Sequence, residues 1–225
     1  MKPPHLKLGL TLAAVILLTA ARALAQTKTV EPDLAKLVAG QGWKVHNRTV
    51  TALNEAGRKG IHLEEREGDG VVWLEGFQFA NGTIEFEVRG KDVLQRSFVG
   101  LAFHGVDEKT FDAIYLRPFN FRNADPVRRN HAVQYIAHPT FTWNKLRTEK
   151  PEQYEKPVMP APDPNAWNRV RIVVASPKVS VFINDNPAPS LVVDKLSAQR
   201  EGWIGFWVGT TSGGDFANLR ITPAR

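Results

Sequence analysis

From Trp43 onward, apolar and polar residues alternate with a period of two, which is the pattern of strands that bury one face. Glycine, asparagine, aspartate or proline separates most of these segments, and Ala80-Asn81-Gly82 has the composition of a hairpin turn. The pattern predicts an all-β fold, a two-sheet antiparallel β-sandwich. The twelve predicted strands cover residues 48–53, 60–65, 71–76, 82–90, 97–105, 111–118, 131–138, 167–175, 178–184, 191–194, 202–209 and 215–222.

One connection interrupts this spacing. Residues 139–166 form a stretch of 28 residues with six prolines and no strand pattern. Loops of this length in a compact domain are usually functional or disordered. Phe141, Trp143 and Tyr154 argue against plain disorder, since disordered tracts are poor in aromatic residues. We therefore predict a functional loop, and one alternative for its role is docking of a protein partner from the cell envelope.

The first 25 residues have the pattern of a secretory signal peptide. Lys2 and Lys7 precede an apolar run at residues 8–20, and Ala23-Leu24-Ala25 precedes Gln26. We predict cleavage before Gln26, a secreted or periplasmic chain, and no membrane insertion after cleavage. The alternative is an uncleaved anchor.

Charge and composition limit the classes of partner that the chain is expected to bind. Residues 1–25 hold three Lys or Arg residues and no Asp or Glu, so their removal lowers the formal charge from +6 to +3. Such a small excess does not suggest a nucleic-acid partner. The chain has no cysteine, so burial alone must stabilise it. We predict a lead-in at residues 26–42, with a short helix at 32–38, and a single sandwich domain at 43–225.

Four central strands share an unusual second face. Once the apolar positions are assigned to the core, small residues such as Gly100 and Ala113 remain beside planar polar and aromatic ones. Small residues would lower the floor of a groove, and sugar rings stack on aromatic walls. The alternative is that the long loop covers this face as a second core. The predicted carbohydrate-binding residues are His104, Tyr115, Arg117, Asn120, Gln134, His138, Trp143 and Trp207.

The leading hypothesis is an exported domain that binds an oligo- or polysaccharide in this groove and requires no cofactor. Arg117 would hydrogen-bond the sugar, so we expect Arg117→Ala to weaken glycan binding without unfolding the chain.

These segments resemble a known superfamily. YLRPFNF, HAVQYIAHP, the loop from Trp143 to Tyr154 and GDFANLRI resemble concanavalin A-like lectin/glucanase domains. Among them are exported bacterial jelly rolls described as laminin G-like, family 16 glycoside hydrolase-like or 3-keto-disaccharide hydrolase-like. In the last group a strand of the type G-I-F-L-R precedes one of the type E-V-Q-I. In this chain, Arg117 and Gln134 match the arginine of the first pattern and the glutamine of the second, and Ala132 lies where the second pattern has glutamate. The resemblance implies a jelly-roll sandwich that acts on or binds carbohydrate.

A glycoside or 3-keto-glycoside hydrolase is the second hypothesis. Glycoside hydrolysis uses two carboxyl groups, about 6.5 to 9.5 Å apart in inverting enzymes. Glu85 and Glu87 share one face of a predicted strand, at a spacing of roughly 6.6 to 7 Å. They are the candidate catalytic pair, and the alternative is an ion-paired strand face.

Metal ligation has one candidate. His131 and His138 lie on opposite faces of one predicted strand, so they cannot bind the same ion. Asp215 follows Gly213-Gly214 and is a candidate ligand for a structural Ca²⁺, as in related jelly rolls. The alternative role for Asp215 is capping of the turn.

Overall fold

The computed structural model describes residues 28–224, and the predicted signal peptide lies outside this range. None of the helices within residues 28–224 is long and apolar enough to cross a membrane. In chain order the strands are β1 Trp43–His46, β2 Val50–Glu55, β3 Arg58–Arg66, β4 Gly70–Leu74, β5 Gly82–Arg89, β6 Val99–Gly105, β7 Phe111–Leu116, β8 Val133–His138, β9 Glu155–Lys156, β10 Asn168–Ala175, β11 Lys178–Ile183, β12 Leu191–Asp194, β13 Trp203–Val208 and β14 Ser212–Pro223. The helices are α1 Leu34–Val38, α2 Pro126–Arg129 and α3 Trp143–Glu149, with a 3₁₀ turn at Pro118–Asn120.

The strands form two antiparallel seven-stranded sheets, which confirms the predicted sandwich. Sheet I has the order β1-β4-β13-β6-β7-β8-β9, and sheet II has the order β12-β11-β10-β5-β14-β3-β2. All twelve predicted strands are present, and the structure adds β1 and β9. The helix predicted at residues 32–38 corresponds to α1.

The core lies between the sheets, where aromatic rings pack in a row. The ring of Phe206 on β13 lies 4.6 Å from that of Phe216 on β14 and 6.1 Å from that of Trp43. These distances are typical of stabilising aromatic pairs. The alternation in β5 places Ile84, Phe86 and Val88 in this core. This packing holds the strands whose opposite faces are described next.

Strands β6, β7 and β8 are buried on both faces, with residues such as Ala102, Ala113 and Tyr115 covered on the outer side. The long loop supplies part of the cover, because it contains α3 and β9. Thr142 caps α3 at its start, and Leu146 buries the inner side of the helix. The loop is therefore an ordered part of the fold, as its aromatic residues predict.

Strand β9 completes the edge of sheet I. It pairs with β8 through Val133 opposite Lys156 and Gln134 opposite Glu155. This register brings Glu155, from the middle of the long loop, beside the outer face of sheet I.

Candidate functional site

A cavity of about 470 Å³ lies on the outer face of sheet I, and we call it the sheet I pocket. It is the groove that the strand alternation predicts. Six of the eight predicted carbohydrate-binding residues line it: Tyr115, Arg117, Asn120, His138, Trp143 and Trp207. Other lining residues come from turns and the long loop, among them Asp69, Arg128, His131 and Arg147.

The floor of the pocket is a buried hydrogen-bond network around Arg117, whose exposed fraction is 4%. Its Nη2 donates to Oη of Tyr115 at 2.6 Å and to Oε1 of Gln134, and its Nη1 donates to the His131 carbonyl at 3.0 Å. Tyr115 in turn donates its hydroxyl to Gln134 at 2.9 Å. Since these donors are engaged within the chain, Arg117 holds the floor together rather than extending into the pocket.

Two further features maintain this floor. A Cβ at Gly100 would lie 2.7 Å from Cβ of Tyr115, so the glycine lets the tyrosine lie close against β6. Burial raises the pKa of Tyr115 to about 12, with the charge of Arg117 acting in the opposite direction. The phenol is therefore protonated at neutral pH and remains a donor to Gln134.

Glu155 is the carboxylate beside Arg117, and the sequence interpretation missed it. It is 2% exposed, and its Oε2 lies 3.5 Å from Nη1 of Arg117. Arg147 donates to both of its oxygens, at 2.9 Å from Nε and 2.7 Å from Nη2. Nδ1 of His131 lies 2.9 Å from Oε1. Glu155 thus neutralises buried and half-buried cations behind the pocket wall.

Asp69 and His138 form a second polar group in the pocket. Oδ1 of Asp69 accepts a hydrogen bond from the Thr210 backbone at 3.1 Å. Burial raises the pKa of Asp69, and His138 opposes that shift. Burial also lowers the pKa of His138, and Asp69 opposes that shift. An imidazole and a carboxylate with such shifts in one cavity are suited to proton transfer.

Arg48 fixes the position of Asp69. Its Nη2 donates to the carbonyls of Gly68 and Gly209, each at 2.8 Å. Those two turns carry Asp69 and Thr210. The buried guanidinium therefore ties together the two loops that form this side of the pocket.

The walls of the pocket include two tryptophans. Trp143 at the start of α3 is 46% exposed, and Trp207 on β13 is 4% exposed, with its ring 5.0 Å from that of Tyr115. Nε1 of Trp207 and Oδ1 of Asn120 are both buried and have no hydrogen-bond partner among residues 28–224. Both residues line the pocket, but these two atoms themselves lie beneath its surface.

Two predicted residues do not line the pocket. The expected orientation of His104 is wrong, because its backbone has φ of +51° at a bulge between β13 and β6, and this reverses the side chain. His104 is fully buried with Asp112 and Phe79, and its Nε2 lies 2.7 Å from the Ala80 carbonyl. Gln134 has the predicted face but lies fully buried beneath Tyr115 and Arg117.

The candidate catalytic pair Glu85 and Glu87 does not reach the sheet I pocket, which corrects that prediction. Both residues are on β5, which belongs to sheet II, and both line a separate cavity of about 750 Å³ on its outer face. Glu87 accepts hydrogen bonds from Arg58 at 2.7 Å and Asn218 at 2.9 Å. For Glu87, the structure therefore matches the alternative of an ion-paired strand face.

Asp215 also lies on the outer face of sheet II. Its Oδ1 is 2.6 Å from Nδ1 of His62, and its Oδ2 accepts a hydrogen bond from Nε of Arg89 at 2.8 Å. Within the described range, no group of three or more His, Asp or Glu side chains is arranged to hold a metal ion. The geometry therefore gives no support to a calcium ion at Asp215, and that ion stays a prediction.

Comparisons with known proteins agree with the predicted resemblance. The family model of the 3-keto-alpha-glucoside-1,2-lyase-like domain matches residues 36–222. No curated protein matches the chain.

Solved structures share the fold. The carbohydrate-binding module CBM66 from Bacillus subtilis superposes with a TM-score of 0.57 and 16% identity, over 80% of this chain and 96% of that chain. A Bacillus subtilis protein of unknown function with a galectin-like fold has a TM-score of 0.53 and 14% identity, over 80% and 88%. The calcium-bound exoplasmic/lumenal domain of VIP36 has a TM-score of 0.54 and 9% identity, over 82% and 84%.

Proposed function

The chain belongs to the family of 3-keto-alpha-glucoside-1,2-lyase-like domains, and on that premise we propose that the sheet I pocket binds a carbohydrate. The volume of about 470 Å³ falls in the range of small-ligand sites. Carbohydrate is also the ligand class named for the module CBM66, which has the same fold.

One observation carries the proposal. Trp143 lines the pocket with its side chain 46% exposed, and the guanidinium of Arg147, which also lines the pocket, lies 5.1 Å from its ring. A sugar can stack its C–H face on such an exposed aromatic ring while its hydroxyls accept hydrogen bonds from the neighbouring N–H donors.

A glycan array followed by calorimetric titration of the strongest hit tests this proposal. Trp143→Leu removes the exposed ring, so we expect binding to weaken by about tenfold, a common cost of truncating an aromatic contact. Trp167→Leu is the matched control, because Trp167 packs against Arg58 and lies outside the pocket. Absence of binding to every glycan would refute the proposal.

Cleavage of a keto-glycoside is a second candidate function, favoured by Asp69 and His138 in the same pocket. In elimination from a keto-sugar, the glycosidic C–O bond breaks to release an alcohol, whose oxygen takes up a proton, and a proton next to the carbonyl group is transferred to a general base. With its pKa lowered by burial, His138 is neutral at pH 7 and can accept that proton. Asp69 would stabilise the imidazolium that results.

Turnover of a 3-keto-glycoside separates the two functions. If the pocket is catalytic, His138→Gln should abolish turnover, while calorimetry should still detect substrate binding. Turnover that survives both His138→Gln and Asp69→Asn would exclude this pair.

We further propose that the chain is exported, on the pattern of residues 1–25. Amino-terminal sequencing of the protein recovered from its native host should then begin at Gln26. Docking of a protein partner on the loop at residues 139–166 stays a prediction. The calcium predicted at Asp215 has no part in the proposed function, since the carboxylate oxygens of that residue contact the side chains of His62 and Arg89.

A further inference from the structure

We propose that the carbohydrate bound by the sheet I pocket is acidic, and that Arg128 and Arg147 recognise its carboxylate or sulfate group. This inference rests on the proposed binding function and specifies its ligand class. It follows from which N–H donors of these two arginines are hydrogen-bonded within the described chain and which are not.

Arg147 presents a free edge at the pocket. Its Nε and Nη2 pair with Glu155, and its Nη1 makes no hydrogen bond to any described residue. The guanidinium lies over the ring of Trp143 at 5.1 Å, and the side chain is 34% exposed. The ion pair and the ring hold the group in place beside the cavity, with Nη1 available to a ligand.

Arg128 is still less engaged. Among residues 28–224 its single ion pair is with Asp125, at 3.7 Å from Nε to Oδ2, which exceeds hydrogen-bonding distance. The neighbouring Arg129 differs, because its Nη1 donates to the carbonyls of Asn123 at 2.7 Å and Ala124 at 3.0 Å. Of these two adjacent arginines, only Arg128 lines the pocket. Its donors are therefore available to a ligand there.

The charge balance favours an anion. Among the lining residues, three arginines stand against the carboxylate of Asp69, which is an excess of two positive charges. Asp125 and Glu155 pair with Arg128 and Arg147 from outside the lining. Burial lowers the pKa values of His131 and His138, so both imidazoles are neutral at pH 7 and add no positive charge.

The cavity on sheet II has the opposite balance. Four acidic residues line it, against three basic ones. The positive excess is thus a local property of the sheet I pocket and does not follow from the net charge of the chain.

Guanidinium groups suit this role because their planar N–H donors match the oxygens of carboxylate and sulfate groups. A uronic acid or a sulfated sugar also keeps the C–H faces that stack on Trp143. The sheet I pocket thus offers an acidic sugar both guanidinium donors for its anionic group and an aromatic ring for its C–H face.

Titration of the protein with an oligogalacturonide and with its methyl ester tests the inference, because esterification removes the negative charge and keeps the sugar backbone. A sulfated oligosaccharide and its desulfated form make a second pair. We expect an acidic member to bind at least about tenfold more tightly than its neutral counterpart, and added salt to weaken its binding.

Arg128→Gln should weaken binding of the acidic ligand by about fivefold and lower the ratio of acidic to neutral affinity, as expected for a partly exposed charge pair. Arg122→Gln is the matched control, since it removes the same charge from a side chain that is 57% exposed and outside the pocket. Arg128 is preferred over Arg147 for this test, because loss of Arg147 would also remove the partner of buried Glu155.

Preference for the uronate or for the sulfate ester supports the inference and identifies the anionic group. Equal binding of acidic and neutral ligands, or equal effects of the Arg122 and Arg128 variants, would overturn it and leave the proposed binding function intact. Failure of every acidic and neutral glycan to bind would remove both.

Discussion

The outer faces of the two sheets carry similar residues in different surroundings. On sheet II, Arg58 and Arg89 lie 5.3 and 5.0 Å from the ring of Trp167 and pair with surface acids. On sheet I, Arg117 lies 4.8 Å from the ring of Tyr115, but it is buried under a cavity. Arginine over an aromatic ring is thus present on both faces.

The difference comes from what covers each face. The loop at residues 139–166 places α3 and β9 against sheet I, and this cover converts an open strand face into a pocket with a buried floor. The ion pairs of sheet II remain at the surface, where such pairs contribute little to stability. Residue type alone therefore does not distinguish a binding surface from a solvated one.

The largest expected contrast is between Arg117→Met and Arg89→Met. Removal of Arg117 takes away a buried cation that faces Glu155 and donates to Tyr115 and Gln134, so we expect the free energy of unfolding to fall by about 3 to 5 kcal/mol. The same change at Arg89, whose side chain is 24% exposed, should cost about 1 kcal/mol. Urea denaturation measures both. A loss of this size for Arg117 revises the expectation that its removal affects only glycan binding. Equal losses for Arg117→Met and Arg89→Met would contradict the difference proposed between the two outer faces.

A second contrast concerns the tryptophans. Trp143→Ala should weaken glycan binding by about tenfold, a common cost of truncating an aromatic contact, and should change stability little because the side chain is half exposed. Trp167→Ala should reduce stability and leave affinity unchanged, because its ring packs against Arg58 and Arg89. Calorimetric titration and thermal unfolding of both variants check this, and the reverse result would place the binding surface on sheet II.

A smaller effect is expected from pH. Burial holds the pKa of His138 below its ordinary value of 6.5, so the unfolded chain takes up the proton more readily. Stability that is present above pH 6.5 should therefore be lost as the pH falls through the pKa of the folded state. His138→Gln should make this loss shallower in denaturation curves between pH 7.5 and pH 5. His46→Gln, at an exposed position on β1, is the control, and an identical flattening there would contradict the assignment.

The smallest effect is expected from Glu87→Gln on sheet II. The change weakens the pair with Arg58 and should cost less than about 1 kcal/mol in a urea titration. Neither glycan affinity nor turnover should change. A loss of either would indicate that Glu85 and Glu87 on β5 belong to the functional site.

Much of the fold was predictable because alternation records which face of a strand is buried. The same alternation predicted that Arg117 and Trp207 lie at the groove, and the aromatic content of the loop predicted this for Trp143. It failed at His104, because a positive φ at a residue other than glycine has no local sequence signal.

The carboxylates of the site were missed for two other reasons. Glu155 lies in a stretch without periodicity, and its position follows from the pairing of β9 with β8. Asp69 lies between two glycines and has the composition of a turn. Long-range pairing and loop packing, which a local pattern does not contain, place both residues.

Strand β9 also has a consequence for solubility. It is two residues long, ends at Lys156 just before Pro157, and occupies the last position of sheet I beside β8. A long unpaired β8 would offer backbone donors and acceptors to the strand of another copy, whereas a short edge strand followed by proline cannot extend such pairing. Shortened variants of the loop at residues 139–166 are therefore expected to self-associate, so their oligomeric state must be measured before any change in ligand binding is interpreted.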